Sequence, residues 1–173
     1  MKNSLGKNII PDNEAQRLNA LNYYNVLSNL PDRYFTNLAY IIAESFHTPI
    51  ALITLVTDDK VVYKGNAGME GISEVDRGIS LCSLAVLDSE PTVFKNALKE
   101  PCLLSNPLVV GEFGLRFYAG APITTPDGFH IGTVCIVDKE PREFSDNEKA
   151  LLSRFAENAM HEIEMRKALQ DFN

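Results

Sequence analysis

The sequence predicts an α+β domain with antiparallel strands at its centre. Two observations carry this. Helical periodicity is confined to the two ends of the chain, and two pairs of apolar runs between them are each divided by a short polar corner. The predicted order is helix, helix, hairpin, irregular segment, hairpin, helix, with no internal repeat and no second domain.

Residues 1–12 are polar and are expected to form a flexible segment ahead of a single domain over residues 13–173. A first helix starts at Asn13, with Gln16 as its capping partner and Leu18, Leu21 and Tyr24 along one side. Pro31-Asp32 opens a second helix, whose stripe of Phe35, Leu38, Ala39, Ile42 and Phe46 follows the 3.6-residue period. The β-branched runs 50–56 and 61–64 read as a hairpin turning at Asp58-Asp59, its strands covered on both faces. Between Gly68 and Glu100 the periodicity fails, leaving loop with a short helix over 80–87 and a short strand over 92–95. Asn106 caps one helical turn that begins at Pro107 and ends at Gly111. The second hairpin turns at Thr125-Pro126-Asp127-Gly128, a sequence suited to a type I turn. Ser145 and Glu148 form a capping box for the last helix, where Leu152, Ala156, Ala159 and Ile163 recur at helical spacing.

Composition narrows the function classes. A chain of 173 residues, 45% of them hydrophobic, buries a core without staples. Its net charge of −7 and scattered Lys and Arg offer no basic face for nucleic acid or an anionic membrane. The N-terminus lacks the apolar region of a signal peptide, and the apolar run 49–56 is far too short to span a bilayer. Three cysteines, Cys82, Cys102 and Cys135, at irregular spacings fit a reduced, cytoplasmic protein.

Few residues have spacings that suggest chemistry. No Cys or His pair has zinc-ligand spacing; Met165 stands where a partner for His161 would fall. Cys135 and His130 share a strand but point to opposite faces. On the strand 115–123, Leu115, Phe117, Ala119, Ala121 and Ile123 form a core face, while Arg116, Tyr118, Gly120 and Pro122 look the other way. On the neighbouring strand Thr133 and Cys135 share one face. A face this small and partly polar suits a pocket floor or simple packing, and the pattern leaves both open.

The phrases PIALITLVTDDKVVYKGNAG, EVDRGISLCSLAV and NPLVVGEFGLRFYAGAPITTPDGFHIGTVCIVD resemble GAF domains, in the family's order and over residues 14–166. RFYAG (116–120) and IGTVC (131–135) are the most specific. The nearest subtype is that of bacterial sensor histidine kinases and diguanylate cyclases. The resemblance implies a central antiparallel sheet, terminal helices on one face, and a pocket roofed by a loop and short-helix lid on the other. It also shows departures: the cyclic-nucleotide motif, the bilin-attaching Cys-His pair and the cysteine cluster of methionine sulfoxide reductases are all missing.

The resulting expectation is a cytoplasmic, non-enzymatic sensory module. An unidentified small molecule, possibly anionic, would sit between sheet and lid and act through the terminal helices. Arg77 and Arg116 would meet an anionic group, Tyr118 would hydrogen-bond or stack, and Cys82, Thr133 and Cys135 would line the pocket. No catalytic residue, metal ligand or cofactor is assigned. With no kinase, cyclase or helix-turn-helix sequence following Asn173, a separate signalling protein is an expected partner. A homodimer through the last helix is expected too, because Leu151, Phe155 and Met165 make a second apolar stripe. A thiol-based reductase and a ligand-free dimerisation module are the alternatives.

Overall fold

In the computed structural model, which describes residues 1–28, 30 and 32–173, six strands form one antiparallel sheet. In chain order these are β1 (Ile50–Val56), β2 (Lys60–Ala67), β3 (Glu74–Asp76), β4 (Thr92–Phe94), β5 (Phe117–Thr124) and β6 (His130–Asp138). Across the sheet the order is β3-β2-β1-β6-β5-β4, so the short strands of the irregular segment close both edges. The helices are α1 (Glu14–Tyr23), α2 (Arg33–Phe46), α3 (Cys82–Ala85), α4 (Pro107–Val110) and α5 (Asp146–Asp171).

Alternation along the central strands divides the interior in two. On one face Ala51, Ile53, Phe117, Ala119, Ala121, Val134 and Ile136 join the buried sides of α1, α2 and α5. There α2 packs on β1 and β2, and α5 on β5 and β6. Leu152, Ala156, Ala159 and Ile163 are all buried, and the Ser145–Glu148 capping box is formed. Asp32 caps α2 through the Tyr34 and Phe35 amides and also pairs with Arg166 of α5; the expected role of Pro31 lies outside the described residues. Asn13 precedes α1 as expected, but its side chain makes no capping bond.

On the other face Ile50, Leu52, Tyr63, Tyr118, Cys135 and Val137 meet the irregular segment, which carries β3, α3, β4, two 3-10 turns and α4. Asn106 caps α4 through the Leu108 amide and ties it to the rest of the lid by donating to the Ile79 carbonyl. The first dozen residues do not stand away from the domain. Leu5 and Ile9 are fully buried in this second core, and the Ser4 amide donates to the Gly78 carbonyl. Two apolar side chains in a polar stretch were enough to anchor it, because the lid offered them a place.

A buried ion cluster joins these layers. Arg77, at the start of the lid, is fully buried and donates to Glu14 and to the carbonyls of Ile9, Thr57 and Asp58. Arg17, also buried, binds the same carboxylate and the carbonyls of Val56 and His130. Burial alone would raise the Glu14 carboxyl, but the Arg77 and Arg17 guanidiniums override it and bring it down to about 2. A carboxyl held below its ordinary value contributes stability above pH 4.5 that is lost as pH falls toward about 2. Urea denaturation of Glu14→Ala should show a loss of about 3–5 kcal/mol, the cost of leaving buried charges without their partner. Between pH 4.5 and 2 the stability of Glu14→Gln should fall less steeply than that of the wild type.

Candidate functional site

Between sheet and lid lies a cavity of about 210 Å³. Ile50 and Leu52 of β1, Tyr63 of β2, Tyr118 of β5, and Cys135 and Val137 of β6 form its floor. Ser80, Leu81 and Cys82 come from around α3, and Leu108 and Phe113 from the end of the lid. Ile72, exposed, and the half-buried Met69 and Phe113 stand on the solvent side. No charged side chain is in the lining.

Its polar groups converge on one sulfur. Cys82 and Cys135, 53 residues apart in sequence, place their Sγ atoms 3.8 Å apart. The Thr133 hydroxyl donates to Cys82 Sγ at 3.2 Å, and the Tyr118 hydroxyl donates to it at 3.3 Å. Thr133 is itself 2.8 Å from the Thr54 hydroxyl, across the β1–β6 register that pairs these residues. With the Thr133 proton directed to sulfur, Thr54 supplies the proton of that second bond. Buried hydroxyls take whatever acceptor is in reach, and here two are committed to a thiol.

A glycine makes the tyrosine's part possible. Tyr118 and Gly120 share a strand face, and the phenol lies across Gly120; a Cβ there would fall 2.2 Å from the hydroxyl oxygen. Gly120 is also the direct register partner of Cys135. The missing side chain therefore lets the phenol reach past its own strand toward the two sulfurs.

These donors favour the ionised form of Cys82. Its bond with Cys135, then those from Thr133 and Tyr118, pull the thiol below its usual range against the opposing effect of burial. Cys135 moves the other way, raised by the same bond and by burial. Burial, and then the charge on Cys82, keep Tyr118 protonated well above the ordinary phenol range. The pair thus has one acidic sulfur and one that keeps its proton.

Of the residues singled out in the sequence, Cys82, Tyr118 and Cys135 line the cavity, and Thr133 supports it from behind. The arginines do not take part. Arg77 turns both terminal nitrogens into the ion cluster described above, and Arg116 donates to the Val109 and Leu115 carbonyls. β5 begins at Phe117, so the strict alternation that placed Arg116 beside Tyr118 does not extend back to it. For the same reason Leu115, assigned to the helix-side face, lines the cavity instead. The expected basis for an anionic ligand is therefore lost. Thr54, Tyr63 and Ser80 were not anticipated; the two-residue spacing of Tyr63 from Val61 carries a signal for Tyr63.

The chain belongs to the GAF family: the GAF domain model matches residues 31–163. It is 31% identical over 154 residues to a cyclic di-GMP phosphodiesterase of Pseudomonas aeruginosa, a match covering 88% of this chain. The chain spans about a quarter of that relative's length, 26%. The GAF domain of a phosphoenolpyruvate-protein phosphotransferase from Coxiella burnetii shares the fold with a TM-score of 0.66 at 19% identity, covering 95% of this chain and 99% of that one. A free methionine-R-sulfoxide reductase from Neisseria meningitidis, solved with its substrate, does so with a TM-score of 0.64 at 18% identity, covering 92% and 94%. The expectation of a chain without enzymatic activity is corrected by these findings. The relative at 31% identity is named as a phosphodiesterase, and a reductase is built on the same fold. Among the described residues, no helix is long and apolar enough to cross a membrane.

The donor geometry carries a direct expectation. In a Cys102→Ser background, Tyr118→Phe and Gly120→Val should each raise the pH at which Cys82 ionises. Ultraviolet titration of thiolate absorbance checks this, and an unchanged midpoint in both variants would refute the role given to the phenol.

Proposed function

We propose that this chain is a cytoplasmic sensory module that receives a compact, neutral, largely apolar molecule in the cavity between sheet and lid. The observation that carries this reading is the cavity itself: about 210 Å³, lined wholly by uncharged residues, with the Tyr118 hydroxyl of its floor bonded to Cys82 of the lid. For scale, a cavity of about 150 Å³ accommodates one benzene ring, and pockets for drug-sized ligands begin near 300 Å³. One small ring or a short branched chain fits that range. A cyclic dinucleotide, with two phosphates and two purines, is too large and too charged for it. A free amino-acid sulfoxide would bury an ammonium and a carboxylate with no counter-charge in the lining.

Signal transfer follows from which elements touch the cavity. Leu81, Leu108 and Phe113 come from the lid, while Tyr118, Cys135 and Val137 stand on the strands whose opposite face bears α5. A bound molecule changes the arrangement only through unequal affinity for two states of lid and helix. The free state of all three cysteines agrees with a reducing, cytoplasmic setting.

The output surface in this reading is α5, paired with a second copy of the chain. Leu151, Met165 and Leu169 on it, and Phe172 at its C-cap, are exposed at 39%, 62%, 63% and 90%. With Phe155, Asn158 and Glu162 they fall on one line of alternating four- and three-residue steps, the spacing of a two-helix seam. Phe155 is partly buried at the base of this line, 6.2 Å from the Phe46 ring, so the apolar surface is greatest toward the C-terminal end. At 26 residues the helix is about 39 Å long.

Two measurements test the reading. A thermal-shift screen of small neutral aromatics and alcohols should yield hits. One present at about a hundred times its dissociation constant adds ~2.7 kcal/mol, several degrees of melting temperature at this size. Val137→Phe, which fills the cavity from β6, should abolish the shift; equal shifts in both proteins would place binding elsewhere. By sedimentation, the wild type should be a dimer and the double variant Met165→Glu/Leu169→Glu a monomer. A wild type that stays monomeric at high concentration would remove α5 as the output surface.

A further inference from the structure

We propose that Cys82 and Cys135 form a two-thiol redox couple, in which Cys82 is oxidised by a small neutral hydroperoxide entering the cavity and Cys135 resolves the product to an intramolecular disulfide. This goes beyond ligand binding and does not depend on it, since the cavity here serves as an access route.

Three observations support the pair as reactive and not merely buried. The sulfurs are 3.8 Å apart and belong to different layers, Cys82 to the lid helix α3 and Cys135 to β6. A disulfide requires about 2.05 Å, so a closure of roughly 1.7 Å completes the bond. Rotation about the two Cα–Cβ bonds, or a small shift of the four-residue α3, supplies a movement of that size. Second, the Thr133 and Tyr118 hydroxyls both donate to Cys82 Sγ, and a thiolate accepts such bonds far better than a thiol. Third, both cysteines belong to the cavity lining, and Cys82 keeps 3% exposure against 0% for Cys135, so it is the one that a small molecule inside would meet first. Cys102, by contrast, is half-buried against Gly6 and outside the cavity lining.

The chemistry balances with the hydroperoxide as the sole oxidant. The Cys82 thiolate attacks the terminal oxygen of ROOH; an S–O bond forms, the O–O bond breaks, and the alkoxide leaves as ROH after taking a proton from water. Cys82 is then a sulfenic acid. The Cys135 sulfur attacks Cys82 Sγ, the S–O bond breaks, and hydroxide leaves with the Cys135 proton as water. Two electrons pass from the cysteine pair to the peroxide, giving one disulfide, one ROH and one water. A dithiol reductant restores the pair by exchange. The absence of charged lining residues selects for this oxidant: hydrogen peroxide and short alkyl hydroperoxides are neutral, whereas glutathione disulfide is large and highly charged.

The full chain, reduced and freed of reductant, would be treated with hydrogen peroxide or tert-butyl hydroperoxide and followed by intact mass spectrometry and peptide mapping. The expected product is a loss of two hydrogens, mapped to a Cys82–Cys135 linkage and reversed by dithiothreitol. In Cys135→Ala the reaction should stop at a sulfenic acid on Cys82 that a dimedone probe captures. In Cys82→Ser, Cys135 should stay reduced. Tyr118→Phe, which keeps both sulfurs and the ring, should slow the disulfide step relative to wild type at neutral pH and approach it at alkaline pH. Circular dichroism of each variant separates loss of fold from loss of reaction. A linkage through Cys102, oxidation of Cys82 with Cys135 left free in the wild type, or disulfide formation with glutathione disulfide but not with hydroperoxide would each overturn the proposal.

Discussion

One carboxylate holds the layers of this domain in place. Glu14, at the first turn of α1, pairs with both Arg77 from the lid and Arg17 from its own helix, and both guanidiniums are shut away from water. Their terminal nitrogens also donate to carbonyls of the N-terminal segment, the end of β1 and the turn after it, and the start of β6. Two unpaired charges in that position would be prohibitive, so lid, helix and turn can be assembled only together. The lid thereby keeps a fixed root at residue 77, and the residues that follow it, Ser80 to Cys82, arrive at the cavity from a defined height.

The site beyond that root is a product of strand register. β5 and β6 pair so that Tyr118 faces Val137 and Gly120 faces Cys135, while β1 brings Thr54 opposite Thr133. Every group that touches Cys82 from the sheet side is thus set by backbone hydrogen bonds and not by flexible side-chain packing. The energetic tension is local. A fully buried sulfur that tends to ionise sits in an apolar cavity, and only neutral hydroxyl and thiol donors offset its charge. The ionised form is favoured only while those donors stay aligned, since burial alone returns the sulfur to the neutral thiol.

Most of the architecture could be read from the sequence because its signals were periodic. The α5 stripe and capping box, the α2 stripe, both hairpins and the Pro107 turn follow from spacing within a dozen residues. The face shared by Thr133 and Cys135 was legible for the same reason. What escaped was whatever depends on where a period begins or on contacts between distant segments. Arg116 lies one residue before its strand, so alternation assigned it to the wrong surroundings. Leu5 and Ile9 have no periodic neighbours to announce their burial. The Cys82–Cys135 contact joins a lid helix to a central strand across 53 residues, and no local rule encodes such a distance. The edge strand β3 is too short, at three residues, to leave an alternating pattern.

That shortness has a use of its own. A β-sheet is vulnerable along its outermost strands, where unpaired amides and carbonyls can recruit another chain. Here β3 and β4 finish the two sides, and each offers only three residues before the chain turns away. The long strands β1 and β6 have both flanks occupied, while β2 is shielded along residues 60–62 and β5 along residues 118–120. The same segment that roofs the cavity therefore also acts as a selvedge, the finished border that keeps a fabric from unravelling or catching on its neighbour.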